Sequence, residues 1–188
     1  MNARSLNDAL LLGTLALLFV AVKSVFRFKL GLTGHSMFFL MTTLLLARGL
    51  VPVKGSVFYC GLIAGLLAMV LGVGKGGPLV LLKFMMPAVA VELALWLLPF
   101  APWYRLQAMV VAFIGVAAWT AKGVMELALA GATYEVMLVQ AGWKLFGGCV
   151  FATLACLLVP TLLRHLAHHQ LIPANRQPAK LQPAQEAC

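Results

Sequence analysis

The sequence predicts an all-α fold, a polytopic membrane bundle of about six transmembrane helices. Three observations lead there. Of 188 residues, 63% are hydrophobic and only 10% are charged, and the mean hydropathy is +0.99. Soluble domains carry about 45–50% apolar and about 25% charged residues, so a soluble fold of this length has nowhere to hide the excess. A bilayer accepts it, because lipid takes apolar side chains on the outside of a protein as well as inside. Finally, six spans of roughly 20 residues use about 120 residues, which leaves short loops and one polar tail.

The first span, 6–22, follows Arg4 and has the look of a signal peptide, but no small-residue cleavage site comes after it. Lys23-Ser24-Val25-Phe26-Arg27-Phe28-Lys29 follows instead, so it reads as a retained helix. The second span, 35–51, carries Arg48 near its end. Pro52-Val53-Lys54-Gly55 then allows only a tight antiparallel turn into the third span, 55–73. The glycine-rich segment Gly72-Val73-Gly74-Lys75-Gly76-Gly77-Pro78 opens the fourth span, which ends near Leu98. Pro99 and Pro102 bracket the loop before the fifth span, 104–129. Gly131-Ala132-Thr133 breaks the pattern, and Thr133 is expected to cap a short helix holding Tyr134 and Glu135. The last span covers 142–163, where Arg164 ends it. The chain thus divides into a transmembrane domain over 1–163 and a polar tail over 164–188, predicted from Pro173, Pro178 and Pro183 to be disordered. No internal repeat suggests an inverted-repeat transporter.

The formal charge is +9, from 14 Lys and Arg against 5 acids. The basic residues stand singly between apolar segments, as flanking anchors do, which argues for a lipid bilayer as partner and against nucleic acid. With six spans the two tails share a side with the second and fourth loops. That side collects Arg4, Arg48, Lys54, Arg105, Arg164, Arg176 and Lys180, against Lys23, Arg27, Lys29 and Lys75 on the other. The positive-inside rule therefore predicts cytoplasmic tails in a plasma membrane, with the first, third and fifth loops outside.

Charges inside the spans each need a reason, because one at a helix centre costs about 2.5–3.5 kcal/mol on insertion scales. Lys83, Lys122 and Lys144 fall within one or two turns of the predicted outer surface, near His35 and Lys75. Singly, each can snorkel to the headgroups. Together they outline a cationic outward cavity for an anionic or polar ligand. Pro87 cannot donate to the Lys83 carbonyl, so a kink is expected beside that lysine. Glu92, nearer the other end, has Arg48 or Arg105 as visible ion-pair partners, or a gating role. Lys122 and Glu126, four apart, are placed to pair with each other.

Small residues at four-residue spacing let helix backbones approach: Ala9 and Gly13, Gly61 and Gly65, Ala64 and Ala68, Ala117 and Ala121. Each pair serves internal packing or a partner's docking face. Cys149 and Cys156 share a helix face without metal-ligand spacing, and packing accounts for them. His165, His168 and His169 share a face of any helix continuing past residue 163, which suits either a solvated basic helix end or a metal or haem site. The turn at Lys75 lacks the earlier glycine and the following Ser or Thr of a phosphate loop. His35-Ser36 lacks the surroundings of a catalytic serine. No enzyme activity and no cofactor is expected.

Two runs carry a family likeness. Gly34-His35-Ser36-Met37-Phe38-Phe39 followed by Leu44-Leu45-Leu46-Ala47-Arg48-Gly49-Leu50-Val51-Pro52 resembles the second helix of the membrane-embedded substrate-binding (S) components of energy-coupling factor transporters. Gly61 and Gly65, then Leu71-Gly72-Val73-Gly74-Lys75-Gly76-Gly77-Pro78 and Leu82-Lys83-Phe84, continue the similarity. It covers roughly residues 5–163, with its motifs in 34–92. The resemblance implies a six-helix protein with cytoplasmic tails that binds a vitamin, vitamin precursor or metal ion from outside, partly under the first loop. It also implies docking, through small residues, onto a coupling transmembrane subunit that carries ATPase subunits. The family's first helix often has Ala-x-x-x-Ala; here Ala9 and Gly13 take that place, with Ala16 further along. The expected small-molecule substrate site comprises His35, Ser36, Lys75, Lys83, Tyr134 and Lys144, and the expected partner-docking residues are Ala9, Gly13 and Ala16. The alternative class is a non-transport membrane scaffold, or a haem- or metal-binding redox anchor using the C-terminal histidines.

Overall fold

A computed structural model describes residues 3–25, 35–72, 79–97 and 104–168. In lipid, every backbone N–H and C=O must be satisfied within the chain, and helices do this segment by segment. Among the described residues six helices result: α1 (Ala3–Val25), α2 (His35–Leu50), α3 (Ser56–Val70), α4 (Leu79–Leu97), α5 (Arg105–Leu129) and α6 (Tyr134–His168). α1, α4, α5 and α6 are long and apolar enough to cross a membrane. α2 and α3, at 16 and 15 residues, reach about 24 and 22 Å at 1.5 Å per residue, short of a hydrocarbon core of about 30 Å. The expected spans had drawn part of their length from turn residues such as Val51 and Leu71.

The sixth span differs most from expectation. No separate short helix carries Tyr134 and Glu135: one 35-residue helix runs from Tyr134 to His168. The Thr133 carbonyl accepts from the Met137 N–H at 3.1 Å and starts it. Residues 134–141 contain no breaker, and a single glycine such as Gly142 costs a helix only about 1 kcal/mol. Arg164 does not end the helix either. Leu163 is fully buried and Leu166 and Ala167 pack against the core, so tertiary contact carries α6 past the predicted domain edge at 163. α4 runs through Pro87, and α6 through Pro160, as single helices. Before α6, Gly131 (φ 74°) closes α5, as Ala130, Gly131 and Ala132 return their N–H groups to the carbonyls of Glu126, Ala128 and Leu127.

α3 packs on α4, α4 on α5, α5 on α6, α6 on α2, and α1 on both α2 and α3, closing a ring. α2 also touches α3 and α5, and its Met37, Met41, Leu44 and Leu45 are almost wholly buried in the middle. Glycines set the closest approaches. A Cβ on Gly61 would overlap the Ala88 side chain, and one on Gly65 would meet Leu81 Cδ1 at 2.8 Å. Outward, large apolar side chains stand exposed along the helices: Leu10 and Leu17 on α1, Leu97 on α4, Leu129 on α5, Val139 on α6. An aqueous fold would not tolerate that face; lipid requires it. The chain is a multi-pass membrane protein.

The end holding the α2–α3 turn is tied by polar contacts to backbone. Gly55 adopts φ 91° just before α3 and presents its N–H to Glu92 Oε1 at 2.6 Å, while the Val57 N–H reaches Oε2 at 3.1 Å. A side chain of α4 therefore caps the N-terminus of α3, where the helix dipole favours a carboxylate. Arg48 donates through Nη1 to the Val53 carbonyl at 2.7 Å. Glu92 thus holds backbone rather than the Arg48 or Arg105 ion pair that the sequence offered.

Candidate functional site

At the opposite end, where α1 and α5 finish and α2, α4 and α6 begin, four helices bring lysines together. Lys23 lies in the last turn of α1, Lys83 just inside α4, Lys122 near the end of α5, and Lys144 ten residues into α6. Lys83 sits within electrostatic range of Lys23, Lys122, Lys144 and Glu126. Each ammonium is positioned differently. Lys122 is only 4% exposed and pairs with Glu126 one turn further on, as the spacing had indicated. Lys144 lies against the bare backbone of Gly123, where a Cβ would come within 2.7 Å of its Nζ. The Lys23 ammonium rests 4.2 Å from the centroid of the Phe84 ring, a cation–π contact. Phe84 in turn meets Phe19 edge to face at 5.6 Å, forming an aromatic floor between α1 and α4.

Four ammonium groups face one carboxylate here. Two like charges about 8 Å apart at an effective dielectric of about 20 repel by about 2 kcal/mol. Partial burial also strips the lysines of hydration that their pairing does not replace. The arrangement is suited to an anion or an electron-rich polar group, which would relieve the repulsion and accept several N–H bonds at once.

Of the residues expected in the site, Lys83 and Lys144 belong to this cluster. Ser36 is half-buried in the first turn of α2 at the same end, and His35 is the first residue of that helix. Tyr134 is exposed at the start of α6, ten residues and so about 15 Å along the axis from Lys144. Lys75 lies outside the described residues. Lys23 was read from sequence as a loop anchor and is the member that reasoning missed. The signal was available: Leu12, Ala16, Phe19 and Lys23 follow helical spacing, and the first three are buried.

The expected docking residues separate. Ala9 is exposed, and Gly13 has open space where a Cβ would be, whereas Ala16 is fully buried in the chain's own core. Gly61, Gly65, Ala64 and Ala68 are used internally; Ala117 and Ala121 are exposed on α5. His165 and His168 occupy the last turn of α6, and His169 lies outside the described residues. Among the described residues no three His, Cys, Asp or Glu side chains gather as a metal site would require. Cys60 and Cys156 are buried and Cys149 is half-buried, all as free thiols.

A ring of apolar helices with a cluster of lysines at one end defines a small polytopic membrane protein. Among solved structures it matches the crystal structure of an S-component of an ECF transporter, with a TM-score of 0.57 over 94% of this chain and 92% of that one, at 13% identity. At that identity the likeness is one of fold, and it extends over nearly the whole of both chains. No protein-family model matches the sequence, and a search of curated proteins returned no match.

Proposed function

We propose that this chain is the membrane-embedded substrate-binding subunit of an energy-coupling factor type transporter, capturing a vitamin, vitamin precursor or similar small solute from outside for ATP-driven uptake. The observation that carries this reading is the convergence of Lys23, Lys83, Lys122 and Lys144 from four helices at one end of a bundle with the S-component fold. That cluster favours a carboxylate, a phosphate or an electron-rich heterocycle. Lys83 and Lys144 are assigned as direct ligands, with Ser36 and His35 at the rim of α2, and Lys75 and Tyr134 contributing from flanking segments. The cluster end faces outward in a prokaryotic plasma membrane and the tails are cytoplasmic, in accord with the basic residues at the other end.

The chain has no nucleotide-binding motif, so ATP hydrolysis falls to partner subunits. Ala9 and Gly13, uncovered on α1, are the assigned contact with a coupling transmembrane subunit. The decisive experiment is mass spectrometry of small molecules released from the gently purified protein, with Lys83→Ala as control. A vitamin-like compound present in the wild type and lost in the variant supports capture and names the cargo. Identical, empty spectra for both would sink the proposal and direct attention to co-purifying membrane proteins.

A further inference from the structure

Two cavities lie along α4 and share residues. One of about 420 Å³ is lined by Lys54, Tyr59, Glu92 and Trp96, with Val89 and Leu93 in its wall. The other, about 620 Å³, is wholly apolar, running from Leu81 through Met85 and Met86 to the same Val89 and Leu93. Val89 and Leu93 line both, with α3 residues walling the first and Ala118 of α5 the second, so the two adjoin along α4 as a surface groove. From Leu81 to Trp96 it follows α4 for about 22 Å at 1.5 Å per residue. One leaflet of a bilayer holds about 15 Å of hydrocarbon, so the groove takes a lipid chain with room for part of a headgroup.

The groove is polar at one end only. Lys54 is exposed, with its ammonium 5.3 Å from the Trp96 ring centroid, and Tyr59 and Trp96 are both more than half exposed. Lysine beside Trp and Tyr is the composition of a membrane interface. Glu92 also lines this end, but its carboxylate oxygens are occupied by the N–H groups of Gly55 and Val57. Arg48 and Arg105 add positive charge at the same end of the bundle. We infer that this groove is a binding site for an anionic phospholipid, with the phosphate at Lys54, the glycerol region against Trp96 and Tyr59, and one acyl chain along Leu93, Val89 and Met86. The groove runs along α4 between α3 and α5, whereas Ala9 and Gly13 are on α1. Its polar end at Lys54 and Trp96 lies at the opposite end of α4 from Lys83.

The test is native mass spectrometry of the full chain in detergent with equimolar palmitoyl-oleoyl phosphatidylglycerol and phosphatidylcholine, lipids that differ only in the headgroup. One lysine beside a net-anionic headgroup, whose phosphate no choline ammonium neutralises, predicts about a fivefold preference for phosphatidylglycerol. Lys54→Gln removes the preference while chain binding persists. Leu93→Trp fills the groove and lowers retention of both lipids, whereas Leu10→Trp, on the exposed face of α1, lowers neither. Equal retention of the two lipids by the wild type, an intact preference in Lys54→Gln, or full retention in Leu93→Trp would each overturn the site.

Discussion

The buried carboxylate of Glu92 offers a sharp quantitative test of how this fold is held. It accepts N–H bonds from Gly55 at 2.6 Å and Val57 at 3.1 Å, and Val57 is fully buried. Hydrogen bonds to charged acceptors contribute about 1.5–3 kcal/mol each, and an orphaned buried N–H costs about 1–3 kcal/mol. The carboxylate's own desolvation offsets part of this. Glu92→Ala is therefore expected to destabilise the protein by about 3–5 kcal/mol. Glu92→Gln keeps one acceptor oxygen but turns an NH2 toward the other donor, so about half of that loss is expected. Arg48 fixes the same turn through the Val53 carbonyl, and the two residues should couple by about 1 kcal/mol in a double-mutant cycle. The assay is reversible unfolding of the purified protein in mixed micelles, followed by tryptophan fluorescence and circular dichroism. A shift below about 0.5 kcal/mol for Glu92→Ala would refute the capping role, since surface changes alone reach that size.

Other outcomes follow from the same contacts. Gly123→Val places a Cβ into Lys144 Nζ; the ammonium swings away, so ligand retention by mass spectrometry should fall at least tenfold while unfolding changes little. Glu126→Gln removes the carboxylate that competes for Lys122, and isothermal titration with the released ligand should show tighter binding if that ligand is an anion. Gly61→Ala collides with the Ala88 side chain between two helix backbones and should cost about 1–3 kcal/mol in the micelle assay. A Cβ at Gly13 meets nothing within 4 Å, so in Gly13→Leu stability should hold while pull-down of a coupling subunit is lost; retained pull-down would remove α1 from the docking face.

Much of this was legible because hydrophobic blocks and breakers speak directly to helices in a membrane. Lys83, Lys122 and Lys144 could be grouped from sequence because each violates hydropathy at a similar depth, and alternating helix direction sends such positions to one end. Lys23 could not be grouped so easily, because an anchor and a site lysine look the same in the last turn of a helix. Glu92 was misread for a different reason. A sequence displays charged side chains, so Arg48 and Arg105 were the visible partners, whereas the true partners are backbone N–H groups exposed by a positive-φ glycine 37 residues earlier. Gly61 and Gly65 and Ala117 and Ala121 have the same spacing, yet one pair seats α4 and the other faces outward. Spacing defines a face and tertiary packing decides what covers it.

The two ends of the bundle solve the problem of charge in a membrane in opposite ways. At the α2–α3 turn, Glu92 is matched by two N–H groups and Arg48 by a carbonyl, so these two charges are satisfied within the chain. At the other end one carboxylate stands among four ammonium groups, and the excess positive charge opposes the close packing of α1, α4, α5 and α6. On the proposed reading, the captured solute is the missing counter-ion, and it joins helices that would otherwise repel. Binding and stability are then linked: at a ligand concentration of 100 times Kd, the folded state gains about 2.7 kcal/mol. Release must reverse this, and moving any one of the four helices separates the lysines that hold the solute. On that reading, one end is closed by contacts within the chain and the other by its solute, the division a capture-and-release subunit requires.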